Sequence, residues 1–227
     1  MTTRYNHLNE SFLEYDDMKT VSENKKRIYV TPKGGRFVSI TTMLGYLSRD
    51  KLDSWRAAVG VEEANRVSRI AAGRGTQVHS IIENYINNEE VNEQKLMPHI
   101  KANFNSIKPL LHNINNVYYQ EVALYSNVLR LAGRVDCIAE YNGVLSIIDF
   151  KTAAKPKRQE WIDDYFIQCT FYACAFFELT GIEIKQVVVL IAVDGNPPQE
   201  FVQPVGNWLK KLIQARKKYD TEMLFRG

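Results

Sequence analysis

Asp136 and the triplet Asp149-Phe150-Lys151 are the residues of this chain whose types and spacing could do chemistry. The run Leu129 to Tyr141 reads as a strand, Asn142-Gly143 as a two-residue turn and Val144 to Thr152 as the returning strand. Asn-Gly between apolar runs favours a type I′ turn, which needs positive φ at both central positions. A turn there sets Asp136 opposite Asp149 and Arg134 opposite Lys151. Directly opposed Cβ atoms lie about 4.5–5.5 Å apart, so two carboxylates and an ammonium would share one face. Such a cluster repels itself unless a cation sits in it, so the spacing asks for a divalent metal. A single Asp on a strand is more often a solvated edge residue. Asp149, however, interrupts Leu145-Ser146-Ile147-Ile148 and Phe150, a stretch that should be covered.

The elements that must position these groups follow from periodicity and punctuation. Residues 1–26 are polar and irregular, and partial disorder is expected there. Arg27 to Thr31 and Arg36 to Ile40 flank Pro32-Lys33-Gly34-Gly35 as a small hairpin, and Thr41 or Thr42 can cap a short helix to Leu47. Helices are expected from Lys51 to Val59 and from Val61 to about Ala72. Gly73-Arg74-Gly75 then breaks the pattern before a helix from Gln77 to Asn87, capped by Thr76. Residues 92–114 read as helical and Val117 to Ser126 as a strand. After the central hairpin come a helix from Glu160 to Thr180 ended by Gly181, strands Gln186 to Asp194 and Glu200 to Pro204, and a helix from Val205 to Leu224. The apolar run Val187 to Val193 suits a strand covered on both faces.

The whole chain, 1–227, is expected to be one domain. Residues 37–115 would be helical additions carrying His79, residues 117–204 the sheet and long helix, and 205–227 a C-terminal helix. A net charge of +3 permits a nucleic-acid partner without demanding one. Cys137, Cys169 and Cys174 show no paired spacing, which argues against a disulfide framework, a zinc site and an iron–sulfur cluster. No apolar run is long enough to cross a bilayer, and no secretory signal is visible. The expected compartment is the cytoplasm of a bacterial or phage-infected cell.

Gly133-Arg134-Val135-Asp136 followed by Ile147-Ile148-Asp149-Phe150-Lys151-Thr152 resembles the core motif of the PD-(D/E)XK nuclease superfamily, with Val135 where the name has proline. Gly75-Thr76-Gln77-Val78-His79 and Gln168-Cys169-Thr170-Phe171-Tyr172 resemble the further motifs of its RecB-like branch, and within it the family of mitochondrial genome maintenance exonucleases and phage-encoded relatives. The likeness begins near Ser39-Ile40-Thr41-Thr42. It implies an α/β, restriction-endonuclease-like fold: a mixed central sheet flanked by helices, with helical N-terminal additions. It also implies a metal-dependent DNA exonuclease that leaves 5′-phosphates and prefers single-stranded ends.

In that resemblance Asp136 and Asp149 hold Mg²⁺ or Mn²⁺ with His79 and the Phe150 backbone carbonyl, Lys151 orients water, and Glu121 is a further acid. Glu83, one turn from His79, and Gln168 with Tyr172 act as supports. Phosphate contacts would come from Arg66, Arg69 and Arg74 on the approach to His79, from Arg134, and from Lys155, Lys157 and Arg158 after the catalytic strand. The partner is DNA, single-stranded or as duplex ends. A structure-selective or site-specific endonuclease on the same fold, and a DNA-binding module with a decayed site, stay open as alternatives.

Overall fold

Asn142 and Gly143 form the exposed two-residue turn of the central hairpin, with φ of 51° and 77°. Around that turn a computed structural model describes residues 4–8, 10–23 and 26–225. The N-terminal part is a three-stranded antiparallel meander of β1 (Lys19–Glu23), β2 (Lys26–Val30) and β3 (Arg36–Ser39). Three helices follow, α1 (Ile40–Leu47), α2 (Arg49–Val59) and α3 (Val61–Ile86), then α4 (Pro98–Leu111). The second half contains β4 (Ile114–Ser126), β5 (Leu131–Tyr141), β6 (Val144–Ala153), α5 (Asp163–Thr180), β7 (Gln186–Val193), β8 (Gln199–Pro204) and α6 (Leu209–Leu224).

Eight strands make one mixed sheet in the order β1-β2-β3-β5-β6-β7-β8, with β4 alongside β5. The expected mixed sheet flanked by helices is therefore observed. β7 runs parallel to β6 and is covered on both faces. Val187, Val189 and Ile191 join Phe171 and Phe176 of α5, while Val188, Leu190 and Ala192 join Ile82 of α3 and Phe104 of α4. Two apolar layers thus clamp the sheet, which is why its centre reads as an unbroken apolar run.

Several local expectations change. The segment before residue 26 reads as irregular, yet Tyr5, Leu13 and Met18 are buried. Backbone bonds also tie Leu8 N–H to Val117 at 2.9 Å and Val117 N–H to Asn6 at 2.7 Å. Those three side chains lack any regular spacing, so only tertiary contact shows their role. Residues 1–3, 9, 24 and 25 of this segment, and 226–227 at the other end, lie outside the described residues. Ser39, not Thr41 or Thr42, caps α1, its side chain accepting the Thr42 N–H at 3.0 Å.

The expected break at Gly73-Arg74-Gly75 does not occur, because α3 is one helix of 26 residues. Glycine costs a helix interior about 1 kcal/mol, and this one is held by its tertiary contacts. The Arg74 guanidinium, 8% exposed, pairs with Asp194 at the end of β7, and Asn103 of α4 donates to the same carboxylate at 2.8 Å. A Cβ on Gly75 would lie 3.9 Å from Thr152 Oγ1, so the helix passes close to β6 there.

One topological detail creates the site. β4 occupies one edge of β5 along its length, from Leu131 to Tyr141. On the other edge β6 pairs only with Cys137 to Tyr141, and β3 pairs with Leu131 and Ala132. Gly133, Arg134, Val135 and Asp136 lie between, in a fork where β5 exchanges β6 for β3. Cys137 faces the α3–α4 layer whereas Val135, two residues earlier, faces the α5 layer. Strict alternation would put both on one face, so the strand turns over at Asp136.

Candidate active site in a fork of the sheet

Where β6 stops pairing, the Asp136 side chain takes over a backbone role: its Oδ2 accepts the Phe150 N–H at 2.9 Å. The paired stretch carries the register expected from the turn, Cys137 opposite Ile148. It ends before Asp136 and Asp149 face each other as a ladder pair. Arg134 therefore does not meet Lys151; its guanidinium donates to the Glu121 carbonyl and to Asp17, at 2.6 Å in the second case. This corrects the expected neighbour of Arg134.

Glu121 reaches the fork from β4. Gln120 lies opposite Cys137 and Val122 opposite Val135, so the register sets Glu121 across from Asp136. Its φ is 48°, a left-handed conformation in the middle of a strand. Such conformations cost a non-glycine residue about 1–3 kcal/mol and cluster at functional sites. From the other side α3 brings His79, with Nδ1 3.5 Å from Asp136 Oδ2. Ligand atoms of His79, Glu121 and Asp136 all lie within 4.8 Å of one another. Glu83, one helical turn from His79, lines the same cleft of about 500 Å³.

Asp149 sits deeper, 1% exposed. Its Oδ2 is 2.5 Å from Lys151 Nζ, and its Oδ1 accepts from Gln168 Nε2 at 3.2 Å. Gln168 also reaches the Tyr172 hydroxyl at 3.4 Å, so the two residues one turn apart on α5 form one brace. Tyr172 explains Gly133: a Cβ there would lie 2.9 Å from the Tyr172 ring and hydroxyl. The expected joint ligand pair Asp136–Asp149 is thus resolved into two connected groups. His79, Glu121 and Asp136 converge in the cleft, and Asp149 holds Lys151 behind them.

The electrostatics show how crowded the negative charge is. Burial, reinforced by Asp136, Glu83 and Asp149, pushes the Glu121 carboxyl up to about 7. Burial also raises Asp149 to about 6, with Asp136 adding to the rise and Lys151 opposing it. Burial works to lower the Lys151 pKa, but Asp149 and Asp136 outweigh it and hold the ammonium above its usual value. Carboxylate oxygens with one imidazole are a donor set for a divalent cation, so the residues fit such an ion.

The expected phosphate contacts are dispersed. Arg74 is buried and its charge is neutralised by Asp194, the residue after β7, so it is not an open phosphate contact. Arg66 pairs with Glu63 on the exposed first half of α3, and Arg69 is exposed on the same half. Lys155, Lys157 and Arg158 lie in the loop after β6, where the Lys157 N–H donates to Gln199 and Arg158 covers the exposed Trp161 ring at 5.2 Å. Sequence reasoning missed Arg27, Tyr29 and Thr41, which line the cleft. The meander that carries Arg27 and Tyr29 reads locally as an ordinary hairpin, and the β3–β5 pairing brings it and the start of α1, with Thr41, to the fork.

Residues 101–219, over half of the chain, match the family model of the PD-(D/E)XK nuclease superfamily. The chain belongs to that superfamily. Among curated proteins it is similar to Mitochondrial genome maintenance exonuclease 1 of Homo sapiens, 31% identical over 99 residues, which cover 43% of this chain and 27% of that protein. The Mus musculus protein of the same name is 35% identical over 85 residues, covering 37% of this chain and 25% of that one. The Xenopus tropicalis protein, again of that name, is 31% identical over 126 residues, covering 50% of this chain and 36% of its own length. The chain thus spans about a third or less of the length of these relatives. The vertebrate relatives lend no support to the bacterial or phage setting expected from the sequence. Among the described residues no helix is long and apolar enough to cross a membrane.

Proposed function

We propose that the chain is a metal-dependent DNA exonuclease that hydrolyses phosphodiester bonds and leaves 5′-phosphates. The observation that carries this reading is the fork itself. Three ligand-bearing side chains, His79, Glu121 and Asp136, meet within 4.8 Å, beside a lysine ion-paired to a buried aspartate. His79, Glu121 and Asp136 would hold the ion, with Asp149 beside them. The Phe150 carbonyl would join them, since in a strand it points to the same side as the N–H that meets Asp136. Bound Mg²⁺ or Mn²⁺ supplies Lewis acidity and a water of lowered pKa.

Lys151 does the rest of the electrostatic work. Because Asp149 and Asp136 keep it protonated, it serves as a fixed cation that donates to the attacking water or to the phosphoryl oxygens, not as a base. Preorganised charge of that kind is most effective in a covered site. Gln168, which also donates to the Tyr172 hydroxyl, holds the Asp149 carboxylate that fixes the ammonium. The curated vertebrate relatives are named exonucleases, which supports action from ends. The exposed α2 and first half of α3, where only Ala64 is buried, offer helices past which a single strand would run.

End-labelled linear and circular DNA, single- and double-stranded, incubated with Mg²⁺, Mn²⁺ or chelator, test the reading. Linear single strands are expected to shorten from an end only when metal is present. Fragments from a circle would instead favour an endonuclease. Lys151→Ala is expected to lower cleavage about 10²–10³-fold with DNA binding kept within a few fold, and an active variant would remove the assigned role.

A further inference from the structure

The catalytic cleft does not end at the acids. A second hollow of about 560 Å³ is lined by Thr20, Val21, Ser22, Arg27, Thr41 and Thr42. Arg27 and Thr41 line both. We propose that this hollow binds the backbone phosphate next to the one being cut, with Arg27 as its cation. The inference rests on the nuclease reading above and goes beyond it by placing the path of the polynucleotide.

Two independent arrangements carry it. The register of the meander sets Ser22 opposite Arg27 and Thr20 opposite Tyr29. Residues opposite in an antiparallel pair share a face, as do residues two apart along a strand, so these four side chains form one ridge. It leads outward from Tyr29, beside Tyr172 in the catalytic cleft, to the exposed Ser22.

The charges divide in the same direction. The catalytic cleft holds Glu83, Glu121 and Asp136, whereas among the described residues the second hollow is lined by no carboxylate and by four hydroxyl-bearing side chains. Of the two arginines in the catalytic cleft, Arg134 is already engaged by Asp17 and the Glu121 carbonyl. Among the described residues no carboxylate pairs with Arg27, which is exposed.

Hydroxyls and an exposed guanidinium suit an acceptor-only ligand such as phosphate. The Thr41 hydroxyl, at the junction, is held 3.1 Å from Ser39 Oγ, and Ser39 pairs with Ala132 immediately before the fork. A strand whose scissile phosphate lies at Asp136 would therefore place its neighbouring phosphate at Arg27. Such contacts read the backbone and not the bases, so the hollow would serve any sequence.

The test is binding of a fluorescent single-stranded DNA oligonucleotide in the Lys151→Ala background, followed by anisotropy across a salt series. Arg27→Ala is expected to weaken affinity about tenfold and to lower the slope of log affinity against log salt by about one. Arg27→Lys should keep the slope. Thr41→Val should weaken binding by a smaller factor without changing the slope. Unchanged affinity and slope in Arg27→Ala, or a loss of affinity at constant slope, would overturn the assignment. Failure of the nuclease reading shows separately, as wild-type protein that leaves end-labelled DNA intact with either metal.

Discussion

Glu121 is the residue at which backbone, charge and position conflict most. Its φ of 48° is unfavourable, and its carboxyl is pushed up to about 7 by burial and by Asp136, Glu83 and Asp149. A carboxyl whose folded pKa is raised binds more protons folded than unfolded, so it costs stability as pH rises from about 4.5 through 7. Metal-free Glu121→Gln is therefore expected to be more stable than the parent at pH 8, by about 1–2 kcal/mol once screening is allowed for. The advantage should vanish near pH 4.5, and the variant should lose affinity for Mn²⁺. Melting curves in chelator at the two pH values check the first part, and a variant less stable at pH 8 would show that Glu121 is not under electrostatic stress. Arg134 fits the same picture, because its guanidinium takes the Glu121 carbonyl and holds the unusual backbone.

At the scale of elements, two glycines with different surroundings separate helix propensity from close packing. Gly73 lies inside α3 with nothing within 4 Å of an added Cβ. Gly73→Ala should raise stability by about 0.5–1 kcal/mol without harming cleavage. Gly133 lies in the fork, where an added Cβ would meet Tyr172 at 2.9 Å and Ile40 at 3.0 Å. Gly133→Ala should cost about 1–3 kcal/mol and lower activity as well, since Tyr172 braces Gln168 and through it Asp149. Paired melting and rate measurements distinguish the two, and a harmless Gly133→Ala would mean that the fork can widen freely. The Arg74–Asp194 pair belongs to this scale too: it ties α3 to the residue after β7, five residues before His79, which meets Asp136.

For the molecule as a whole, the acids of the fork make stability depend on metal and pH together. With Glu121 raised to about 7 and Asp149 to about 6, protons compete with the cation below neutrality. Mg²⁺ or Mn²⁺ at one hundred times its dissociation constant should stabilise the fold by about 2.7 kcal/mol at pH 8, and by less at pH 5.5. A thermal shift that is absent at pH 8 for both ions would refute the ligand set. The fold accepts such a site because at the fork one edge of β5 has neither β6 nor β3 as a partner, while β4 still holds the other edge. The N-terminal strap closes the outer side of β4, with Tyr119 receiving the Phe12 N–H at 2.6 Å and Tyr15 donating to Ala123 at 2.8 Å.

What was legible in the residues alone was local. The Asn142-Gly143 turn, the register it imposes, the apolar run of β7 and the spacing of Asp136, Asp149 and Lys151 all follow from short-range rules of φ, side-chain alternation and charge. The helix break expected at Gly73 failed because a glycine's preference, about 1 kcal/mol, is smaller than the contacts that carry α3 past β6. Tertiary structure alone decided that β5 changes partners between Asp136 and Ala132, that Glu121 faces Asp136, that Arg134 turns to Asp17, and that Arg27 stands beside the cleft. All but the Glu121–Asp136 pairing depend on segments far apart in the chain, and that one depends on the irregular register of β4 against β5. No periodicity or dipeptide signal encodes which distant strand will take up a free edge.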